Sequence, residues 1–201
     1  MSLILGSIVG WLSYVSDIIP TFKNDMNLFS FLLAYAAIMI NSLPVWFIIA
    51  MFIGYIFGSN TRESSIFGMV FTVVAITIYL VINESLTELP EGVPITFSSQ
   101  IKSYIFGWYL PSTCGGLFGG FVGGLLKKSS FILLVLIPGL ILQLFVNGKS
   151  SWNDIIGISQ NVTFCLMIIG IFIFIFIKNK KNSHLTTYYI TTNETVKHKK
   201  K

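Results

Sequence analysis

Residues 110–128 read LPSTCGGLFGGFVGGLLKK, and this stretch decides the fold. Its glycines recur every four residues in two adjacent rows, which are Gly115, Gly119 and Gly123 in one row and Gly116, Gly120 and Gly124 in the other. On a helix both rows lie on one face, where the lack of side chains lets a neighbouring backbone come close. The pattern predicts a membrane helix that packs tightly against other helices. A nucleotide-binding loop is a poor alternative, because the G-x-G-x-x-G spacing is absent.

The composition of the whole chain indicates the same environment. Of the 201 residues, 54% are hydrophobic and only 10% are charged, whereas soluble domains have about 25% charged residues. The mean hydropathy is +0.79. A water-soluble fold of this size could not cover so much apolar surface. We therefore expect an all-α, polytopic transmembrane helix bundle, in which helices satisfy the backbone hydrogen bonds within lipid.

Six apolar runs approach the roughly 17–25 residues that a spanning helix needs, and they cover residues 2–19, 43–58, 64–82, 104–126, 130–147 and 162–177. Residues 28–41 are also apolar but short. We expect a half-helix or interfacial segment there, broken from the next span at Asn41-Ser42-Leu43-Pro44. One long kinked helix over 28–58 is the alternative, and a seven-span arrangement also remains open.

The distribution of charge predicts the orientation. The short loops at Arg62 and at Lys127-Lys128, together with the tail, hold ten basic and two acidic residues, while the opposite side holds three basic and six acidic residues. Lysine and arginine favour the cytoplasmic side, so six spans place both termini inside. We expect residues 1–177 to form the transmembrane domain and residues 178–201 to form a disordered, basic cytoplasmic tail.

Shorter small-residue pairs accompany the glycine rows. Gly54 and Gly58 lie in the second run, and Gly6 and Gly10 lie in the first, so we expect spans one, two and four to pack closely. The chain also contains a weak internal sequence repeat. Trp46 is followed by Gly54 and Gly58 at the same spacings at which Trp108 is followed by Gly116 and Gly120. A duplicated helix hairpin explains this repeat, and chance in a glycine-rich chain explains it equally well.

Polar and aromatic residues within the spans are few, and they are the candidate ligand-binding residues. They are Asn41, Trp46, Trp108, Ser112, Thr113 and Gln143, and several lie close to Pro111 or Pro138. Kinked helices with polar side chains can line a binding cavity. The alternative is structural: the prolines bend the helices, the hydroxyls satisfy the freed carbonyls, and the tryptophans lie at the membrane interface.

Catalysis, metal binding and nucleic-acid binding have little support. No span carries paired carboxylates or a protease or hydrolase motif, and Asp17 is the only acid near a span. The two cysteines, Cys114 and Cys165, stand apart in apolar runs, and both histidines lie in the tail. We expect no catalytic residues, no metal and no cofactor. The basic tail lacks the aromatic or glycine-rich pattern of nucleic-acid binders.

The positions of several motifs resemble those of a family of uncharacterised small bacterial membrane proteins, known only as a domain of unknown function. The resemblance comprises Asn41-Ser42, Trp46, Gly54, the turn at Arg62, Gly68, and the run from Trp108 to Gly124 with its Lys127-Lys128 turn. It implies a multi-pass protein of the bacterial cytoplasmic membrane and transfers no catalytic residue. In size and span count the chain is also similar to the substrate-capturing subunits of energy-coupling-factor vitamin transporters, with Gly6-x-x-x-Gly10 as the comparable motif.

Two functional hypotheses follow, besides an intramembrane enzyme that would depend on Asp17. The first is a transport-associated or small-molecule-binding membrane subunit, with a site near the outer ends of the kinked spans. The second is a structural, accessory or immunity-type membrane protein that contacts partner subunits through its glycine faces. In both, the lipid bilayer is the first partner.

Overall fold

The structure is a computed structural model that describes residues 1–18, 27–86 and 102–198, with side chains described as far as residue 180. The described residues contain seven α-helices and no strand. The helices are α1 Ser2–Ile18, α2 Leu28–Ile40, α3 Leu43–Phe57, α4 Thr61–Leu86, α5 Leu110–Leu126, α6 Leu136–Asn147 and α7 Ile155–His198. A π-helical turn, Ile105–Tyr109, leads into α5, and 3₁₀ turns Ser130–Val135 and Ser150–Trp152 precede α6 and α7.

Three helical stretches of the described chain are long and apolar enough to cross a bilayer, and they are Thr61–Leu86, Ser130–Asn147 and Ile155–Lys180. A fourth is possible if α2 and α3 count as one span, although the two helices meet at an angle of 75°. The outward surface is apolar, as a lipid environment requires: Phe118, for example, is 67% exposed and Phe176 is 71% exposed. The all-helical class is therefore confirmed, and the described residues contain three to four candidate membrane spans where the sequence predicts six.

Helix α4 lies at the centre of the first half of the bundle and packs against α1, α3 and α5. Its buried face carries Phe71 and Ala75, neither of which is exposed to solvent. These residues pack with Val9 of α1 and with Ala50 and Ile53 of α3. The large Phe71 ring fills the centre of this contact, and the two alanines beside it allow the helices to approach closely.

The two glycine rows of α5 contact two different helices. Gly119 faces α3, where an added Cβ would lie 2.8 Å from the Cβ of Ala50, and Gly123 also faces α3. Gly116, Gly120 and Gly124 face α4. Gly54 of α3 meets Gly120 so closely that an added Cβ would lie 2.6 Å from the Gly120 carbonyl oxygen, and Gly58 meets Ser64 at the start of α4.

Gly115 departs from the rest of its row, because a Cβ there would meet no atom within 4 Å. This one glycine of the predicted packing set faces open space inside the bundle.

Helix α1 also differs from expectation. Its glycines, Gly6 and Gly10, pack on α4, where Cβ atoms would meet Val74 and the Ala75 carbonyl. The glycine pair thus indicates close approach, but the partner is α4 and not the second or fourth predicted span.

The second half of the bundle surrounds Phe164 of α7, which is completely buried. Met39, Met51, Val122 and Leu140 pack around it, and they come from α2, α3, α5 and α6 respectively. This cluster connects the two halves, since α3 and α5 contribute to it as well as to the contacts with α4. Tyr35 of α2 also forms a hydrogen bond of 2.6 Å with Thr163 of α7.

A buried polar network joins the end of α6 to the start of α7. Asn161 is fully buried; its Nδ2 donates to Ser151 Oγ over 2.8 Å, and its Oδ1 accepts from Asn147 Nδ2 over 2.8 Å. Gln143 donates to Asn147, and Gln160 donates to the Ile38 carbonyl of α2. Burial in this network explains why an asparagine lies in an apolar helix.

The basic turns that define the predicted inner side lie together. Lys127, which ends α5, donates a hydrogen bond to the Gly58 carbonyl at the end of α3, and its ammonium lies 5.8 Å from the centre of the Tyr55 ring. Asn60 caps α4 by accepting from the Glu63 backbone N–H over 3.0 Å. We call this the Lys127 end of the bundle. The opposite end, where Asp17, Asn41 and Tyr79 meet, is called the Asp17 end.

Helix α7 continues past the predicted domain boundary. It extends from Ile155 to His198 without interruption, so residues 178–198 are helical in the structure. A helix that begins at the Asp17 end rises about 1.5 Å per residue, so Lys178 lies about 35 Å along its axis. The start of the basic segment is thereby brought to the Lys127 end.

Candidate ligand-binding site

A cavity of about 470 Å³ opens at the Asp17 end between α1, α3, α4 and the start of α5. The residues on its walls recur at helical spacing, with Ser13 and Asp17 on α1, Thr72, Ile76 and Tyr79 on α4, and Trp108, Ser112 and Gly115 on the π turn and α5. The size lies in the range of small-molecule sites. Gly115 and Gly116 leave the α5 wall without side chains, which creates part of the space.

The Asp17 carboxylate at the mouth of the cavity accepts hydrogen bonds from three different segments. Tyr79 Oη donates to Asp17 Oδ2 over 2.7 Å, and Asn41 Nδ2 donates to Asp17 Oδ1 over 3.3 Å. Ser16 Oγ makes a longer contact of 3.5 Å with Oδ1. Asp17 therefore ties the end of α1 to α4 and to the break between α2 and α3. All three donors are neutral, so they orient the carboxylate without cancelling its charge.

The break between α2 and α3 forms one edge of the cavity. Asn41 follows α2 as its C-cap, and Ser42 precedes α3 as its N-cap with extended backbone angles (φ −83°, ψ 141°). The Ser42 Oγ donates to the Met39 carbonyl over 2.6 Å. Pro44 then occupies the first turn of α3, where no backbone donor is required. The sharp change of direction places Asn41 at the mouth and Trp46 on the wall. The break predicted at Asn41–Pro44 is present.

The opposite edge is the π turn before α5. Pro111 has no N–H for the helical hydrogen-bond ladder, and just before it the Leu110 N–H bonds to the Ile105 carbonyl in a widened turn. Hydrogen bonds hold the segment against α4, from Tyr104 to Glu84 and between Tyr109 and Thr77. Gly107 and Trp108 within the turn line the cavity.

Aromatic side chains form much of the wall. Trp46 and Phe47 come from α3, Tyr79 comes from α4, and Trp108 comes from the π turn. The Tyr79 and Trp108 rings contact each other with centroids 5.8 Å apart and planes inclined by 47°. Leu43 and Phe47 also line a second, smaller cavity of about 270 Å³ next to α6, so they separate the two spaces.

Two buried polar atoms, both on residues that line the cavity, have no hydrogen-bond partner among the described residues. They are Oγ of Ser13, a residue only 1% exposed, and Nε1 of Trp46. A buried donor without a partner costs about 1–3 kcal/mol. By contrast, the hydroxyl of Thr72, also on the wall, lies 3.0 Å from the Met69 carbonyl, to which it donates. Both unpaired atoms are fully buried, so a molecule in the cavity reaches them only if neighbouring side chains move.

The cavity brings together four of the six residues selected from sequence: Asn41, Trp46, Trp108 and Ser112. Thr113 and Gln143 are not among its lining residues. Thr113 follows Ser112 and is rotated about 100° around the helix. Gln143 bonds to Asn147 and borders the smaller cavity.

Sequence reasoning missed Ser13, Thr72 and Tyr79, and it considered Asp17 as the candidate catalytic residue of an intramembrane enzyme, not as a ligand-binding residue. The available signal was their spacing, since Ser13 and Asp17 are four residues apart and Thr72 and Tyr79 are seven apart. Each pair therefore falls on one helix face. Lone hydroxyl groups in apolar helices are common enough that this spacing alone was not informative.

Comparison with known proteins adds no identity: no family model, curated protein or solved structure matches the chain. The resemblance to an uncharacterised bacterial membrane family remains a prediction from the sequence. Any functional argument therefore depends on the cavity itself.

Proposed function

We propose that the protein is a small-molecule-binding or transport-associated membrane subunit, and that the cavity at the Asp17 end is its binding site. The observation that carries this proposal is a space of about 470 Å³ that is lined by one carboxylate, Asp17, and by aromatic side chains from α3, α4 and the π turn. Aromatic walls with few polar groups are typical of small-molecule sites.

The proposal extends to topology and location. Six helical segments support six crossings: α1, α3 with α2 bent against it, α4, the continuous helix over 102–126, the 3₁₀ turn with α6, and α7. With the Lys127 end in the cytoplasm, both termini lie inside and the cavity opens outward. A bacterial cytoplasmic membrane is the proposed location.

A role in binding partner subunits through the glycine faces has less support. Gly119 and Gly123 are covered by α3, while Gly116, Gly120 and Gly124 are covered by α4. Those faces are occupied within the chain, so an accessory or immunity-type protein would need another surface. The cavity offers a specific site, and the glycine rows shape it.

The test uses two glycines that both face open space. Gly115→Leu would place a side chain in the cavity, whereas Gly170→Leu adds the same side chain on α7, away from it. The full-length protein and both variants would be purified in mild detergent, and their bound small molecules would be identified by mass spectrometry. We expect a compound that copurifies with the wild type and with Gly170→Leu but not with Gly115→Leu.

Two results would count against the proposal. One is an identical set of compounds on all three proteins. The other is no compound on any of them, together with unchanged uptake of a solute panel in a deletion strain. Topology has its own test, with a reporter fused after Lys201. We expect a fluorescent cytoplasmic reporter and an inactive alkaline phosphatase, and an active phosphatase would refute the orientation.

A further inference from the structure

The charge on the cavity wall indicates the class of ligand. Asp17 is the only described lining residue that is charged at neutral pH. Its hydrogen bonds from Tyr79, Asn41 and Ser16 come from neutral groups, which leaves the carboxylate with its full negative charge. A ligand placed beside Asp17 would gain from a positive charge and would be disfavoured by a negative one.

The aromatic rings favour the same sign of charge. Tyr79 donates its hydroxyl to Asp17, and its ring packs at an angle against Trp108, so the carboxylate and two aromatic rings surround one corner of the cavity. The faces of tryptophan and tyrosine attract cations, and quaternary ammonium groups are recognised in this way. A small, strongly hydrated inorganic cation would gain less from these rings than an organic ammonium group does.

We propose that the cavity binds an organic ammonium compound, with the ammonium group held by Asp17, Tyr79 and Trp108. This inference rests on the proposed function and specifies the ligand class of that site. The same chemistry occurs in free amino alcohols and in the headgroups of zwitterionic lipids, and the experiment below separates these sources.

The experiment measures choline binding to the full-length protein in phosphatidylglycerol nanodiscs, which contain no ammonium lipid. The comparison ligand is dimethylbutanol, the neutral isostere in which carbon replaces the quaternary nitrogen. Ethanolamine and propanol form a second pair with a primary ammonium group. Dissociation constants come from calorimetry and from tryptophan fluorescence. We expect at least one ammonium compound to bind at least tenfold more tightly than its neutral isostere.

Asp17→Asn keeps the size and the acceptor oxygen of the side chain but removes the charge, so it should abolish that discrimination. Asp154→Asn is the matched control. Asp154 lies at the start of α7 and accepts from the Gly157 N–H, which an asparagine can also cap, and it does not line the cavity. The control should retain the wild-type discrimination.

A second set of nanodiscs contains phosphatidylcholine. Weaker apparent binding of free choline there would identify the lipid headgroup as the natural source, and unchanged binding would identify a free amino alcohol. Both results support the proposal.

Three results would overturn it, and they differ in their consequence for the proposed function. Equal binding within each isosteric pair, or unchanged discrimination in Asp17→Asn, refutes the ammonium ligand but leaves a small-molecule site in place. Absence of binding by all four probes refutes the ammonium ligand. If Gly115→Leu and wild-type protein also carry the same copurified compounds, the binding site itself is refuted.

Discussion

Gly115 and Gly116 are neighbours in α5, yet replacing each with alanine should affect stability differently. At Gly115 the new methyl group enters open space, with no atom within 4 Å. At Gly116 it meets the Thr72 hydroxyl, the Gly68 carbonyl oxygen at 2.6 Å and Met69 Cα at 3.0 Å. Two of these three are backbone atoms of α4, which cannot rotate away as a flexible side chain can.

The magnitude follows from two terms. Alanine is favoured over glycine within a helix by about 0.5–1 kcal/mol, and this gain applies to both sites. Overpacking a closely fitted contact costs about 1–3 kcal/mol, and this cost applies only to Gly116→Ala. The helix term cancels in the comparison. The two variants should therefore differ by about 1–3 kcal/mol, with Gly115→Ala more stable than the wild type.

The assay is equilibrium unfolding of the full-length protein in mixed micelles, with sodium dodecyl sulfate as denaturant and far-ultraviolet circular dichroism as the signal. Gly170→Ala is the control, because it also faces open space but lies on α7. Its free energy of unfolding should be close to that of Gly115→Ala. The reasoning is refuted if Gly116→Ala is as stable as Gly115→Ala, because α4 and α5 would then not be in backbone contact at this point.

The remaining predictions concern the two ends of the bundle. Asn161→Ala should cost about 1–3 kcal/mol in the same unfolding assay, because Asn147 loses an acceptor and Ser151 loses a donor in a buried network; a loss below about 0.5 kcal/mol would contradict this. Lys127→Met should cost about 1 kcal/mol by removing the hydrogen bond to the Gly58 carbonyl. An unchanged free energy of unfolding in Lys127→Met would show that this contact does not stabilise the two turns at that end.

Local features of the fold could be predicted from sequence, whereas the pairing of helices could not. The break at Asn41–Pro44 follows from residues that act on their own backbone, so it is visible in the sequence. The glycine rows indicate that α5 approaches other helices closely. A small-residue motif does not specify its partner, which is why the contact of α1 with α4, through Gly6 and Gly10, was not foreseen.

The same distinction applies to the candidate site. Asn41, Trp46, Trp108 and Ser112 were selected because they are unusual residues next to breaks and kinks, and breaks and kinks are where this bundle opens. Gln143 was selected for the same reason, but its side chain donates to Asn147 in the polar network between α6 and α7. Ser13 and Tyr79 were missed, because their role depends on which helices are adjacent.

The π turn before α5 allows the side chains that line the cavity and the glycine contacts of α5 to change independently of each other. In a π turn each N–H bonds to the carbonyl five residues earlier, so the turn contains about one residue more than a turn of α-helix. Removal of one residue within Ile105–Tyr109 would therefore restore a regular α-helix. The segments on both sides of the deletion, including the glycine rows that follow, would then keep their orientation, and only the side chains within the turn would change position. Insertions and deletions at this turn could therefore change which side chain stands at the position of Trp108, and with it the ligand preference, without altering the contacts that hold α5 against α3 and α4.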